Sequence, residues 1–247
     1  MGTIISWTDE SWNPTTGCSK VSEGCRHCYA ESLSLKRGWS QEPWTAPYAA
    51  LNVKLHPDRL RKPYAFKRPT RVFVNSMSDL FHEQIPDDYI ARVFAVMNDL
   101  PQHTFQVLTK RPERAATWAG PWTPNIWMGT SVEDARVLHR VDSLRQCGAS
   151  TRFLSCEPLI GPLGAFNLTG IHWVIVGGES GSGYRPMDHK WAREIRDQCE
   201  DEAVAFFFKQ SAAFHTERGT ALIEADGSPW IYQQFPGALT PPQLAAA

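Results

Sequence analysis

Three of the six cysteines fall within eleven positions near the N-terminus, in "WNPTTGCSKVSEGCRHCYAE", residues 12–31. Cys18, Cys25 and Cys28 carry the spacing C-x6-C-x2-C. Thiols clustered in this way can hold a metal, and two chemistries compete. A structural zinc closes a tetrahedron of four ligands. The fourth would have to be His27, inside the C-x2-C turn, or a distant residue such as His56 or His82. Cys147, Cys156 and Cys199 come singly, and there is no second C-x2-C. A [4Fe-4S] cluster normally takes four cysteines. Held by three, it keeps one iron open to a substrate or cofactor, and this suits the three thiolates better.

A second segment with chemical potential is "VGGESGSG", 176–183, glycine-rich and directly after an apolar run. Its backbone could approach a ligand closely, or the glycines could serve turns that need positive φ. No G-K-[ST] follows, so it is not a phosphate loop.

These residues need a scaffold. β-branched and aromatic runs recur at 71–79, 104–111, 126–133, 151–158, 172–180 and 205–210, with a weaker one, "LNVKLH", at 51–56. Helical patterns lie between most of them, at 86–100, 132–148 and 188–203, with a short one at 112–118. No helix is expected between 158 and 170. Nearly continuous apolar strands alternating with helices predict an α/β fold with a parallel sheet covered on its outer face. Six or seven such units predict a complete or partial (β/α) TIM-like barrel with an N-terminal cluster-binding loop. The barrel is expected to occupy 1–235 as a single domain, with a flexible tail at 236–247, "PGALTPPQLAAA".

Each apolar run turns polar at its C-terminal end. Ser76 and Asp79, then Lys110 and Arg111, then Ser131 and Glu133, then Cys156 and Glu157, then Glu179, and finally Lys209 and Gln210 occupy these positions. In a barrel such ends converge on one rim, where active sites are built.

The 247 residues, 42% hydrophobic, suffice for a substantial core, and the formal net charge of -1 gives no global basic field. The local run "RLRKPYAFKRPTR", 59–71, is either solvated surface or a contact for a polyanion. "MGTIIS" formally matches a myristoylation pattern, but the N-terminus lacks the basic-then-apolar form of a signal peptide. No apolar run reaches membrane-span length. A cytoplasmic, reducing location is therefore expected, where clustered cysteines serve metals rather than disulfides.

The residues flanking the cysteines add a resemblance. Asn13-Pro14, Gly17-Cys18, Gly24-Cys25 and Cys28-Tyr29-Ala30 resemble the cluster loop of radical S-adenosylmethionine (SAM) enzymes, in particular the branch around spore photoproduct lyase. Six residues separate the first two cysteines here, where that branch has three. "NSMSDLFHEQIP" (75–86) and "FQVLTKRPE" (105–113) resemble further segments of the branch. Over roughly 4–235 the chain also resembles an uncharacterised phage-associated family through its cysteine loop, "TKRP" and "GGESG".

The resemblance implies a [4Fe-4S] cluster on Cys18, Cys25 and Cys28 whose open iron chelates SAM. One-electron reduction then cleaves SAM to a deoxyadenosyl radical that abstracts hydrogen from a substrate. It implies SAM-binding candidates in Ser76, Asp79, Lys110, Ser131, Glu157, Gly177, Gly178 and Glu179. It also offers Cys156 as a catalytic hydrogen donor, against the alternative of simple packing. Implied partners are a reductase or flavodoxin-like electron donor and a protein encoded nearby. Nucleic acid is the leading substrate, for modification or repair, with no membrane. The competing expectation is a zinc-stabilised barrel that binds nucleic acid or a partner protein without redox chemistry.

Overall fold

The computed structural model describes residues 3–238 and 241–245. Met1 and Gly2 of the myristoylation-like start, and positions 239, 240, 246 and 247 of the expected tail, lie outside them. In chain order the elements are β1 (Glu10–Trp12), β2 (Thr15–Thr16), α1 (Tyr29–Lys36), α2 (Ala49–Asn52), β3 (Lys54–Leu55) and β4 (Arg71–Val74). Then come α3 (Asp87–Asp99), β5 (Thr104–Thr109), α4 (Pro112–Ala116), β6 (Ile126–Ser131), α5 (His139–Arg145) and β7 (Thr151–Cys156). The chain continues through β8 (Trp173–Gly177), α6 (His189–Asp201), β9 (Ala205–Gln210), β10 (Leu222–Ile223), β11 (Pro229–Ile231) and β12 (Gln243–Leu244).

Seven strands form one sheet in the order β1-β4-β5-β6-β7-β8-β9, with every pairing parallel. Parallel neighbours require crossovers: α3, α4, α5 and α6 supply four of them on the outer face, and β7 passes to β8 without a helix. The sheet curls into a half-barrel whose edges are β1 and β9, so the expected barrel is partial.

Both faces of the sheet are buried, which is why the strands read as unbroken apolar runs. Alternate residues separate into two cores. Val72, Val74, Val107, Met128, Leu154, Cys156, Val174, Val176, Phe206 and Phe208 pack outward with the helices. Trp7, Phe73, Phe153, Trp173, Ile175, Ala205 and Phe207 pack together on the concave side, with Leu108 and Trp127 against them. Each large side chain buried there contributes roughly 1.5–3 kcal/mol. This aromatic floor fills the lower half-barrel and leaves the C-terminal strand ends free to carry polar groups.

The helices follow their patterns with informative differences. In α3, Asp87 and Asp88 lie in the first turn, where the helix dipole favours acids, and Ile90, Val93, Phe94 and Met97 are buried. In α6, Asp188 caps the N-terminus by accepting from the Lys190 N–H at 2.8 Å. The helix expected over 132–148 is α-helical only at His139–Arg145, after a 3-10 turn at Ala135–Val137. Its first part stays extended because the Val132 N–H donates to Ser155 O and the Ile160 N–H to Glu133 O.

The strand expected at 51–56 shrinks to Lys54–Leu55, paired antiparallel with Thr15–Thr16, because Ala49–Asn52 is helical. In the segment expected as a tail from 236, Gln243–Leu244 pairs antiparallel with β11. Among the described residues no helix is long and apolar enough to cross a membrane.

Candidate functional site

A cavity of about 640 Å³ opens at the C-terminal ends of the parallel strands. Its floor includes Trp7, Phe73 and Leu108, and its wall includes Cys18, Cys25 and Cys28. Ser76, Asp79, Lys110, Ser131, Glu157, Gly178 and Glu179 line it as well, so strand ends distant in sequence meet the cysteine loop at one place.

The loop is held by close backbone approach. Gly17 has φ +84, and a Cβ there would stand 1.9 Å from the Asn52 carbonyl oxygen. At Gly24 a Cβ would stand 2.3 Å from Glu133 Cγ. The glycine before each of the first two cysteines is therefore a steric requirement. Asn13 joins the start of the loop to the end of β4: its Oδ1 accepts from the Met77 N–H at 2.9 Å, and its Nδ2 donates to Ser76 Oγ at 3.0 Å. The Gly17 N–H donates to Met77 O at 3.0 Å. Asn75, left-handed at φ 65, donates from Nδ2 to Thr15 Oγ1.

Two consecutive residues at the end of β5 bring cations to the thiols. Arg111 Nη1 donates to Cys18 Sγ at 3.6 Å and to Asp79 Oδ2 at 3.2 Å. Its Nη2 donates to Ser19 O at 3.1 Å and Ser19 Oγ at 3.0 Å, and its Nε to Glu83 at 2.9 Å. Lys110 Nζ pairs with Glu133 at 3.2 Å. Burial pulls the Lys110 ammonium down, but Glu133 and Cys25 outweigh it and hold it above its ordinary range. Burial pushes Cys18 up to about 12 and also raises Cys28. As free thiols both are therefore neutral near pH 7, and binding a metal would release their protons.

Carboxylates anchor the loop from the other side. Glu133, 1% exposed, accepts from Ser22 Oγ at 2.8 Å and from Arg140 at 2.9 Å. Burial raises its carboxyl, yet Lys110 and Arg140 together hold it below the usual range. Glu179 pairs with His27 Nδ1 at 3.0 Å and accepts from the Arg185 backbone N–H and side chain. Arg185 Nη1 in turn donates to Glu23 O. Farther along the wall, Lys209 pairs with Glu157 at 2.9 Å, and Ser155 Oγ donates to the same carboxylate.

Two expected site residues do not face the cavity. Cys156 is fully buried in the outer core, its thiol raised well above the ordinary range by burial. Ser155 and Glu157 line the cavity, and alternation along the strand turns the residue between them outward. Gly177 lies beneath the wall, where a Cβ would stand 2.9 Å from Glu157 Oε1. At Gly178 a Cβ would stand 2.2 Å from the Ala212 nitrogen, so this glycine pair serves close packing; positive φ falls later, at Gly181 and Gly183.

Each histidine considered for a fourth zinc ligand makes a hydrogen bond through a ring nitrogen. His27 is held by Glu179, His56 Nε2 shares a hydrogen bond with Thr16 Oγ1 at 2.8 Å, and His82 Nε2 shares one with Ser19 Oγ at 2.9 Å. Among the described residues no three His, Cys, Asp or Glu side chains converge on one point as a single metal ion requires. The anchors Ser22, Arg140 and Arg185 gave no signal in the sequence, because their roles arise only from contacts across the fold.

Fold and site together define an α/β half-barrel with a three-thiol loop over a cavity at the strand ends. Residues 2–235 match the family described as "Protein of unknown function (DUF5131)", and the chain belongs to that family. No curated protein and no solved structure matches it.

Proposed function

We propose that this chain is a radical SAM-type [4Fe-4S] enzyme that abstracts hydrogen from a substrate in the half-barrel cavity, with Cys18, Cys25 and Cys28 holding the cluster. One observation carries the reading: three thiols, with no fourth cysteine beside them, line one cavity at the strand ends. The donor set fits in kind: three thiols on one cavity wall are the ligand type such a cluster takes. When bound, such a cluster with an open iron supplies low-potential electron transfer to SAM.

The protein's own residues supply positioning. Lys110 uses one of its three donors on Glu133 and keeps 20% of its side chain exposed, which suits it to the carboxylate of a bound amino-acid group. Glu157, Lys209 and Ser131 offer further polar contacts on the wall, and the aromatic floor excludes water below. Asp79 acts indirectly, because Thr109 Oγ1, the Lys110 N–H and Arg111 already occupy its oxygens.

A nucleic-acid substrate is supported by a group of exposed cations near the β1 edge of the sheet. Arg59, Arg61, Lys62, Lys67 and Arg68 are exposed on the segment packed along β1. Lys62 Nζ donates to the carbonyl of Ser11, a cavity residue, at 2.6 Å. The electron comes from an external donor, for which a reductase or flavodoxin-like protein is suited.

Anaerobic reconstitution with iron and sulfide, followed by SAM and dithionite, tests the proposal. Release of 5′-deoxyadenosine by wild type, abolished in Cys25→Ala, is expected. A colourless protein holding one tightly bound zinc and inert toward SAM would overturn it.

A further inference from the structure

Among the described residues Arg111 is the most completely committed cation. A guanidinium has five N–H donors in a rigid planar fork. Here they meet five acceptors: Cys18 Sγ, Asp79, Ser19 O, Ser19 Oγ and Glu83. The side chain is only 11% exposed. A guanidinium stays charged in a protein, and the Asp79 and Glu83 carboxylates face it from two sides. The backbone fixes its direction, since the Arg111 N–H donates to Thr109 Oγ1 at 2.9 Å and Pro112 begins α4 immediately afterwards.

We infer that Arg111 is a positioning residue that sets the reduction potential of the metal centre through the sulfur of Cys18. The inference rests on the cluster reading above. It assigns to Arg111 a role different from the grip on a bound ligand that its place beside Lys110 first suggests. A fixed positive charge hydrogen-bonded to a ligand sulfur stabilises whichever state holds more negative charge. Reduction adds one electron to the cluster, taken from an external one-electron donor that is itself oxidised by one electron. The reduced state therefore gains more from Arg111 than the oxidised state, and the potential is held higher than it would be without the guanidinium. Glu83 opposes this effect. Its carboxylate is 59% exposed and lies 2.9 Å from Arg111 Nε, where it partly neutralises the guanidinium from the solvent side.

The test is an EPR-monitored redox titration of the anaerobically reconstituted full chain, with iron stoichiometry measured alongside, for wild type, Arg111→Gln, Arg111→Lys and Glu83→Gln. Arg111→Gln is expected to disfavour one-electron reduction by at least tenfold, a negative shift of about 59 mV. Arg111→Lys keeps the charge and loses the fork, and should fall between Gln and wild type. Glu83→Gln is expected to shift the potential in the opposite, positive direction and to lose part of that shift in high salt, as an exposed charge should. Its exposed position also keeps the test available should Arg111→Gln fail to fold.

A purely structural Arg111 would lower iron content or melting temperature and leave the potential of the remaining cluster unchanged. That result, or shifts of the same sign in Arg111→Gln and Glu83→Gln, would overturn the inference. Failure of wild type to assemble any cluster would instead overturn the proposed function, so the two failures are distinguishable.

Discussion

Replacing Gly24 by alanine isolates the contact that fixes the cysteine loop to the strand ends. The new methyl would stand 2.3 Å from Glu133 Cγ, 2.4 Å from Oε1 and 2.5 Å from Cδ, distances at which something must move. Glu133 has little freedom to do so, since Ser22, Lys110 and Arg140 all hold its carboxylate in a site that is 1% exposed. Overpacking a rigid site costs roughly 1–3 kcal/mol, and disrupting a buried ion pair costs roughly 3–5 kcal/mol. Partial relaxation places the expected loss at about 2–4 kcal/mol, a fall in melting temperature of roughly 5–15 °C for a chain of this length.

Gly38→Ala is the control. Gly38 has φ +68 but nothing within 4 Å of its missing Cβ, so backbone strain of about 1 kcal/mol is the whole cost. The decisive assay is thermal and urea melting of a double-mutant cycle between Gly24→Ala and Glu133→Ala. Because the clash needs both partners, a coupling of about 1–3 kcal/mol is expected. Equal losses from Gly24→Ala in both backgrounds, or a loss no larger than that of Gly38→Ala, would refute the steric account of the Gly-Cys pair.

Further outcomes follow from the same geometry. Glu133 has a folded-state pKa below its ordinary 4.5, so its stabilising effect is complete above that value and is lost as pH falls through the folded pKa. Melting temperature should therefore drop between about pH 5 and pH 3 in wild type and more weakly in Glu133→Gln; parallel pH profiles would contradict this. Cys156→Ser should leave deoxyadenosine release intact while lowering stability by about 1–3 kcal/mol for an added buried hydroxyl, and loss of turnover in a folded variant would return Cys156 to the site. Reversing the charges of Arg61, Lys67 and Arg68 to glutamate should weaken binding of a single-stranded oligonucleotide at least tenfold and flatten its salt dependence. Unchanged anisotropy titrations would remove nucleic acid as the substrate.

The alternation of apolar runs and helical patterns made the parallel sheet readable, and the polar ends of those runs correctly marked the rim. Local pattern did not distinguish the two faces of a sheet buried on both sides. Phe153 and Ser155 face inward and Cys156 outward, and an unbroken apolar run carries no sign of that parity. Nor could it anticipate that Val132–Asp134 would stay extended: helical spacing runs through these residues, and only the tertiary bonds to Ser155 and Ile160 hold them. The three cysteines were legible as a group from their spacing, and the fold sets all three along one cavity wall. The partners of Glu179 were not, since His27 lies 152 positions away and the pairing exists only in the fold.

The central claim is that Cys18, Cys25 and Cys28 bind a cluster with one open iron. Diffraction from crystals of the anaerobically reconstituted protein, measured above and below the iron edge and again at the zinc edge, tests it most directly. The account predicts strong iron anomalous density bonded to all three sulfurs, with one iron free of protein ligands. A single zinc peak closed by a fourth protein ligand, or no metal at these thiols after reconstitution, would contradict it.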